Sequence, residues 1–593
     1  MAVPRPTHFY RLSPPAVPIN QPSAASEKIP NGDTAESGGT RFRALAETLA
    51  GLAMSVVLFR AFEVEGYMIS TGSMAPTLYG YHKRVECPSC GRYFAVGVSI
   101  DENSPTGPAM GSDDSDASDS DSSYEGVIRL SDRDRADCPN CGQRHINAGI
   151  VPRNHGDQLL VLKNAYDFRH PARWEVVVFR NPGDPQQAYV KRVVGLPGES
   201  VQVRDGDVYV EGKLCRKSLE SQRGMRINVH DTSFLPLGDP DFQSRWTASR
   251  GSGWSPAEGG GYRFELAKLD AESNGEPTYH WMRYRHRIRA GGMHRTSATI
   301  PKSAGPIEPV ISGPLMPFDW SPSKRTLTVT GVLSADWAER IKLWNGSPIF
   351  HATVDELRRK SHEAPITDAY AYNHDPAGVG VRDVRDLMLV ADVTLSPKAE
   401  IAFEIADGRE HFRVLIDAGD GRMQLVSTER PGEILRETTL RPDDLTGPIS
   451  VELSVIDRQV LVALDGQLAL EPLTYASSEE YEPGPSPVRI GVRRGEVTID
   501  RLRLFRDVHY TAGRARNGID EPYQLGDDEY FVLGDNSPVS LDSRAWPEGA
   551  VAGDLLIGKP FVVHLPSRPG TLNFGNRTLD VRIPDFSRVR FVR

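Results

Sequence analysis

Short runs of alternating apolar and polar residues recur along most of this chain and predict a mainly β protein. They are clearest in residues 158–210 and 386–505, where glycine and proline turns separate them. A strand places successive side chains on opposite faces, so a period of two is typical of a sheet with one buried face. The second stretch holds about eight such runs, which predicts an antiparallel β-sandwich at residues 385–506.

The N-terminal part of the chain divides into a polar tail and an apolar segment. Residues 1–40 are rich in proline, serine and alanine without apolar periodicity, which predicts a disordered tail. Residues 42–63 contain an uncharged run between Glu47 and Arg60, close to the roughly 20 apolar residues that span a bilayer. We expect a single transmembrane helix there, with a buried helix, an interfacial anchor and a cleavable signal peptide as alternatives. Lysines and arginines in the tail favour a cytoplasmic N-terminus, with the remaining chain on the outer face of the membrane.

Composition and charge narrow the class of protein. The 593 residues include 45 prolines and 54 glycines, which argues for many turns and against a helical bundle. A formal net charge of -10 disfavours a sequence-independent nucleic-acid binder, so no nucleic-acid partner is expected. The mean hydropathy of -0.40 excludes a multispanning membrane protein, so membrane attachment must come from one segment.

Three short segments carry residue types suited to nucleophilic catalysis. Ser73 lies in the segment ISTGSMAPTL, and taken alone it would be an ordinary turn serine. Lys191 shares a strand face with Tyr189 and Val193, where burial would lower its pKa until the neutral amine can accept a proton from a hydroxyl. In isolation the same lysine would be a surface residue that keeps its ammonium in water. The third segment, GDNSPVSLDSR at 534–544, is rich in small polar groups that can orient the other two.

Together, in this order behind an apolar segment, the three segments resemble bacterial type I signal peptidases, the membrane-bound serine proteases that remove signal peptides from exported proteins. The box Ser-Met-x-Pro-Thr-Leu of that family begins here at Ser73, and the box Lys-Arg-Val-x-Gly-x-Pro-Gly-Asp/Glu begins at Lys191. The box Gly-Asp-Asn-x-x-x-Ser-x-Asp-Ser-Arg begins at Gly534. The resemblance covers three stretches of the chain: about 43–81, 154–214 and 507–566.

The resemblance implies a serine–lysine dyad that needs neither a histidine nor a cofactor. Ser73 would be the nucleophile and Lys191 the general base that takes its proton. Small residues such as alanine would fit before the cut, in a substrate that lies extended along a strand edge. The resemblance implies supporting roles for Thr71 in the oxyanion hole, Ser540 in orienting the lysine, and Asp542 and Arg544 as an ion pair. Candidates for lining the substrate pockets, with core packing as the alternative, are Ile69, Met74, Leu78, Tyr189 and Val190.

Two departures from the family pattern put local contacts in doubt without removing a catalytic group. Ser537 and Pro538 follow Asn536 at a point where many members have arginine. Trp174 and Glu175 stand where a Gly-Asp pair often precedes the next strand. We expect altered loop contacts at both places and retained activity.

Four of the five cysteines form two Cys-Pro-x-Cys-Gly knuckles, which resemble a zinc ribbon. Two such pairs can close a tetrahedral thiolate shell around a structural Zn²⁺. The acidic loop of serine and aspartate at 112–123 would be a solvated linker inserted between the knuckles, and two disulfides are the alternative in an oxidising compartment. Cys215 is left over, as a buried thiol. The candidate ligands are Cys87, Cys90, Cys138 and Cys141.

The stretches outside the resemblance are expected to be insertions. The rhythm of residues 385–506 resembles laminin G and concanavalin-like modules, whereas residues 216–380 show weak periodicity and no assignable fold. The expected order is a tail at 1–40, the anchor at 42–63, catalytic segments at 64–84, 150–215 and 507–593, the zinc-ribbon-like insertion at 85–145, the unassigned insertion at 216–380 and the sandwich at 385–506.

These observations predict a membrane-anchored serine endopeptidase that removes signal peptides from exported preproteins. It would be a single-pass protein of the inner membrane, in contact with the lipid bilayer, with the catalytic domain outside. An inactive anchored scaffold that binds glycan or peptide through the sandwich is the alternative. A self-cleaving repressor protease would also use serine and lysine, but it needs a DNA-binding helical domain that the N-terminal sequence does not indicate.

Overall fold

The computed structural model of this chain divides into two compact units, residues 1–60 and 61–593. The expectations for most of the N-terminal tail and for the acidic loop at 112–123 lie outside the residues that the structure describes. The structure describes residues 38–98, 135–236, 242–269, 278–289, 294–309, 318–373, 381–430, 432–445, 447–476, 481–512, 516–564, 566–574 and 577–592.

Helix α1, Gly38–Phe62, is a 25-residue element that begins shortly before the predicted anchor. Its leucines at 45, 49 and 52 are exposed, and Arg43 pairs with Glu47 one turn later at 2.7 Å. Across the described ranges, no helix combines the length and the apolar character that crossing a bilayer requires. The single-pass anchor at 42–63 therefore stays a prediction.

The first group of strands builds part of an eight-stranded sheet and a small ribbon. Strand β2 pairs with β3 and β6, and β4 pairs with β5, so each cysteine pair lies at the tip of a hairpin. The bounds are β1 Val64–Met68, β2 His82–Glu86, β3 Tyr93–Gly97, β4 Arg135–Ala136, β5 Ile146–Asn147, β6 Arg153–Asn154, β7 Gln158–Leu162, β8 Val176–Asn181, β9 Asp184–Gly195, β10 Ser200–Arg204, β11 Asp207–Val210 and β12 Lys213–Leu214.

The second group of strands, with three helices among them, forms most of the inserted region. The helices are α2 Leu219–Met225, α3 Ala335–Lys342 and α4 Pro348–Ser361. The strands are β13 Ile227–Asp231, β14 Trp246–Ala248, β15 Ser252–Pro256, β16 Tyr262–Leu269, β17 His280–Tyr284, β18 Arg295–Thr299, β19 Phe318–Ser321, β20 Thr326–Thr330, β21 Leu387–Leu395, β22 Glu400–Ala406, β23 His411–Asp417, β24 Arg422–Ser427, β25 Ile434–Thr439, β26 Pro448–Ile456, β27 Gln459–Leu464, β28 Gln467–Leu468, β29 Leu473–Thr474, β30 Val488–Arg494 and β31 Val497–Arg506.

Two antiparallel sheets of this region face each other across one apolar core, as the alternating pattern predicted. One has the order β15-β16-β31-β21-β26-β27-β28, with β13 and β29 alongside, and the other has the order β14-β17-β30-β22-β23-β24-β25. Residues such as Leu453 from the first sheet and Phe403 from the second are fully buried in that core. Strands β13 to β17 also belong to these sheets, so the sandwich includes residues before the predicted range of 385–506. Helices α3 and α4 pack with β18 to β20 around a separate small core.

The last group of strands completes the eight-stranded sheet, in which β38 lies beside β35. Its order is β1-β7-β35-β8-β9-β33-β34, so strands from three distant parts of the chain lie side by side. All the strand pairs are antiparallel, and the expected mainly β fold class is confirmed. The remaining bounds are β32 Tyr523–Gln524, β33 Glu529–Leu533, β34 Val551–Ala552, β35 Leu556–His564, β36 Ser567–Phe574, β37 Arg577–Pro584 and β38 Arg590–Phe591.

Candidate active site and metal centre

Strand β9 places Lys191 in the interior of the eight-stranded sheet, between β8 and β33. Lys191 pairs in register with Val177 on β8, and its neighbour Arg192 pairs with Leu533 on β33. The lysine is only 3% exposed and Val177 is fully buried. Lys191 is therefore a buried lysine at a position in the strand where the sequence pattern also predicts burial.

The loop after β1, residues 69–81 and called the serine loop below, brings Ser73 to this lysine. Within the loop the backbone N–H of Ala75 donates to the Gly72 carbonyl at 3.0 Å, and that of Leu78 donates to the Met74 carbonyl at 2.8 Å. The turn presents the Ser73 hydroxyl at 2.6 Å from Lys191 Nζ. Two residues separated by 118 positions in sequence are thus in direct hydrogen-bond contact.

Burial changes the chemistry of Lys191. Loss of water around the amine lowers the pKa of Lys191 from 10.5 to about 8. The carboxylates of Asp542 and Asp535 oppose this change, and the Arg544 guanidinium reinforces it. About a tenth of the amine is then neutral near pH 7, against less than about 0.1% for an ordinary lysine. The site therefore holds a base that can accept the proton of the Ser73 hydroxyl.

Thr71 lies beside the serine on the same loop. Its Oγ1 is 3.5 Å from Ser73 Oγ, and the residue is exposed to solvent. An exposed hydroxyl at this position can reach an oxygen that develops negative charge next to Ser73. Its role in an oxyanion hole stays a prediction.

The third segment supports the loop that carries Ser73. The backbone N–H of Asn536 donates to the Ser73 carbonyl at 3.0 Å, and its side-chain amide donates to the Gly72 carbonyl at 3.0 Å. Gly534 lies where a Cβ would overlap both Ser540 Oγ and the Ser73 carbonyl, so only glycine allows this close approach. Asn536 was not among the predicted site residues, although it stands inside the third box.

Asp542 and Arg544 form the predicted ion pair in the interior. Arg544 donates to both carboxylate oxygens of Asp542, at 2.9 and 2.7 Å, and the two residues are 3% exposed or less. Burial opposes ionisation of Asp542, but the adjacent guanidinium holds the pKa of that carboxyl below its usual range. The Gly534 N–H also donates to the Asp542 carboxylate, which connects the ion pair to the glycine that lies against the Ser73 carbonyl. Ser540 Oγ is buried without a hydrogen-bond partner in the described part of the chain, so its orientation of the lysine stays a prediction.

A second buried ion pair near the site joins Arg192 and Asp535, neither of which is among the predicted site residues. Arg192 donates to both oxygens of Asp535, at 2.8 and 2.7 Å, and its third nitrogen donates to the Trp174 carbonyl at 2.6 Å. Arg192 and Asp535 are 1% and 0% exposed. The strand pattern is enough to predict such a pair, because Arg192 faces away from Lys191 and a buried arginine needs an acidic partner.

At both departures from the family pattern, the residues of this chain form local contacts of their own. Trp174 has a φ of 69°, a left-handed conformation that suits glycine, and its ring packs 4.6 Å from the Lys217 ammonium. Glu175 forms ion pairs with Arg169 and Lys559, both at 2.6 Å. At the other departure, the Ser537 hydroxyl accepts a hydrogen bond from Arg544 at 2.8 Å. No dyad contact is lost at either place.

Most of the candidate pocket residues pack into one core beneath the serine loop. Three of the five candidates belong to that core and are 7% exposed or less, and Val190 packs against it. Tyr189 instead packs on the rings of Phe179 and Trp546. Their contact with substrate stays a prediction. The three buried residues are Ile69, Met74 and Leu78.

The four cysteines of the knuckles meet at one point, as their spacing predicted. Their sulfur atoms all lie within 4.8 Å of one another, the four residues are buried, and none forms a disulfide. Two of the separations are 3.6 Å, from Cys87 to Cys141, and 3.7 Å, from Cys90 to Cys138. The glycine after each knuckle has a positive φ, which lets the chain turn around the sulfurs. The set offers four soft ligands with the tetrahedral donor number that zinc prefers.

A buried amine in contact with a serine hydroxyl on a β sheet is the arrangement of serine–lysine hydrolases. Residues 152–243 and 471–565 match the family described as signal peptidase, peptidase S26. Lys191 and the third box lie inside the matched residues, and Ser73 lies outside them. The resemblance to signal peptidases is thus confirmed.

Curated relatives agree with the family match. The chain is 38% identical over 93 residues to probable signal peptidase I-2 of Synechocystis, which is 14% of this chain and 42% of that protein. It is 33% identical over 85 residues to signal peptidase I V of Bacillus subtilis, which is 14% of this chain and 49% of that protein. The chain therefore spans less than half the length of these relatives. Among solved structures, galectin LEC-6 of Caenorhabditis elegans is 12% identical and covers 20% of this chain and 81% of its own, with a TM-score of 0.16 that establishes no common fold.

Proposed function

We propose that this chain is a serine endopeptidase that removes N-terminal signal peptides from exported preproteins through a dyad of Ser73 and Lys191. The contact of 2.6 Å between the hydroxyl and a buried amine carries the proposal. The family match and the signal peptidase relatives support the substrate class. Lys217 is buried to the same extent but pairs with the carboxylates of Asp457 and Asp507, whereas the Lys191 amine contacts a serine hydroxyl, which a binding scaffold without activity does not require.

The reaction follows from the positions of these groups. Neutral Lys191 accepts the proton of Ser73 as the serine oxygen attacks the scissile carbonyl carbon. The Ser73 N–H and Thr71 Oγ1 hold the oxyanion of the tetrahedral intermediate. The lysine ammonium then gives its proton to the leaving amine, and an acyl-enzyme remains on Ser73. Water attacks the ester with Lys191 again as base, which releases the signal peptide and regenerates the hydroxyl.

Cleavage of a preprotein with an Ala-x-Ala site by the purified full chain tests this proposal. Ser73→Ala and Lys191→Met should both reduce cleavage to background while the melting temperature stays within a few degrees of wild type. Ser303→Ala and Lys213→Met are matched controls, because they make the same kinds of substitution at exposed residues outside the three boxes. Failure of the wild type to cleave any of several preproteins would overturn the proposal and favour the binding scaffold.

Membrane attachment through residues 42–63 is the part of the proposal that concerns location. It places the N-terminus in the cytoplasm and the catalytic domain on the outer face of the inner membrane. Alkaline carbonate extraction of membranes tests it, because an integral protein stays in the pellet. Release of the full chain into the supernatant would refute attachment by a spanning segment.

We further propose a structural zinc ion bound by Cys87, Cys90, Cys138 and Cys141. A tetrahedron with Zn–S bonds of about 2.3 Å has sulfur separations of about 3.8 Å, close to the 3.6 and 3.7 Å observed. A disulfide would need about 2.05 Å. Elemental analysis of the purified chain should find about one zinc per chain, less in Cys90→Ser and an unchanged amount in the control Cys215→Ser. Zinc-free protein with two disulfides by mass spectrometry would contradict the assignment.

A further inference from the structure

One turn of the inserted region reaches the serine loop. This docking turn, Tyr370–Asn373, is closed by a hydrogen bond of 3.1 Å from the Asn373 N–H to the Tyr370 carbonyl. It lies outside the residues that match the peptidase family. Nothing in the three family boxes accounts for its contacts, so the insertion contributes something of its own at this site.

Asn373 fixes the orientation of the amide that holds the serine loop. The side chains of Asn373 and Asn536 exchange two hydrogen bonds, of 2.9 and 2.8 Å. This pairing uses one N–H of the Asn536 amide, and the other donates to the Gly72 carbonyl at 3.0 Å. A reversed Asn536 amide would lose all three bonds. Asn373 therefore contributes two of the three hydrogen bonds that hold the Asn536 amide in the orientation that supports the residue next to Ser73.

Tyr372 fills the space behind the same loop. Its ring lies where a Cβ on Gly72 or on Gly97 would stand, and it stacks on the Tyr79 ring at 5.7 Å with an interplanar angle of 1°. Its hydroxyl donates to the Tyr81 carbonyl at 3.0 Å, and the residue is 7% exposed. A rigid ring wedged against Gly72 restricts the backbone from which Ser73 projects.

Tyr370 connects the docking turn to Asp535, the buried partner of Arg192 on strand β9. Its hydroxyl donates to the Asp535 carbonyl at 2.8 Å, and the Arg506 guanidinium lies 4.6 Å above its ring. Arg506 in turn donates to the carbonyls of Asp368 and Ala369 at 3.0 Å. The docking turn therefore contacts both the loop that carries Ser73 and the third box.

We propose that Tyr372 and Asn373 are positioning residues of the catalytic site, so that hydrolysis depends on a turn supplied by the insertion. This inference rests on the proposed function. Neither side chain touches the reacting atoms, and each acts through a neighbour, Tyr372 through Gly72 and Asn373 through Asn536. The effect is to keep the Ser73 hydroxyl within reach of Lys191.

Kinetics of the full chain with Asn373→Ala and Tyr372→Ala test this role. Each variant should lower kcat about 10- to 100-fold and leave KM within about twofold, since the substrate site is retained and the reacting groups are displaced. The pH dependence should keep its midpoint, because the surroundings of Lys191 are unchanged. Tyr372→Phe is the matched control, since it keeps the ring against Gly72 and should retain at least about half the activity. Unchanged kcat in both alanine variants, or a lower melting temperature alone, would overturn the inference.

A double-mutant cycle keeps the test decisive if one variant folds poorly. Gly72→Ala alone should lower kcat, because its Cβ overlaps the Tyr372 ring. Adding Tyr372→Ala makes room, so the double variant should be no slower than Gly72→Ala. Fully additive losses would show that the ring and the loop act independently and would reject the inference. An inactive wild type would instead overturn the proposed function, so the two failures are distinguishable.

Discussion

Replacing Lys191 by methionine tests two effects of the buried amine: its role as the base in catalysis and its cost to the stability of the fold. Methionine has a similar length and carries no proton. The lowering of the lysine pKa from 10.5 to about 8 means that protonation of the folded state costs about 3 kcal/mol more than protonation of the unfolded chain. Loss of the hydrogen bond to Ser73 removes about 1 kcal/mol of stability. The variant should therefore be inactive and about 2 kcal/mol more stable than wild type near pH 7.

The sign of the pH dependence follows from proton counting. Below about pH 8 the lysine is protonated in both states, so wild type carries the whole penalty. Between about pH 8 and 10.5 the unfolded chain keeps a proton that the folded state has lost, so the stability of wild type rises with pH. The advantage of Lys191→Met should therefore disappear above about pH 10. Activity should follow the neutral amine, with kcat/KM rising about tenfold per pH unit below pH 8 and levelling above it.

Urea unfolding at several pH values and preprotein cleavage across the same range measure both effects. The unfolding midpoints of wild type and Lys191→Met should converge as the pH rises, and Lys213→Met serves as the exposed control. A methionine variant less stable than wild type at pH 7 would show that the lysine is charged and favourably paired in the fold. Together with a kcat/KM that stays flat between about pH 6 and 9, that result would refute the assignment of Lys191 as the base.

Two further substitutions test the surroundings of the dyad. Arg192→Met should destabilise the fold by about 3 to 5 kcal/mol in urea unfolding, because it leaves the Asp535 carboxylate buried without its partner. Adding Asp535→Leu should recover most of that loss, and no recovery would show that the charges matter less than the backbone contacts. Thr71→Val should lower kcat about 100- to 1000-fold with KM unchanged, as loss of an oxyanion donor does, whereas wild-type kcat in steady-state assays would remove Thr71 from the mechanism.

The contact between Ser73 and Lys191 and the ion pair of Asp542 and Arg544 were predictable because their signals are local. Ser73 and Lys191 each lie in a short box, and the strand period alone indicated that the lysine points inward. Asp542 and Arg544 are two residues apart, so their pairing needed no long-range information. The cysteine knuckles were predictable for the same reason, since two close pairs imply a common centre.

Most strands at 227–284 were not predictable from alternation, because four of the five described there have five residues or fewer. Strand β14 has three residues, and β15 changes register where it pairs with β16. Such strands carry too few apolar positions for a period of two to stand out. Their place in the sandwich is decided by neighbours such as β31, which pairs with β13, β16 and β21.

The docking turn carries no sequence signal because its function depends on contacts between distant parts of the chain. Asn373 and Asn536 are 163 positions apart, and an asparagine in a turn is ordinary on its own. The signal lies in what surrounds the turn, since Gly72 and Gly97 leave room for a ring that only a residue of the insertion supplies. An insertion that was merely tolerated would need no such space in the catalytic segment. The complementarity of these glycines with Tyr372 therefore indicates that the serine loop and the insertion are adapted to one another.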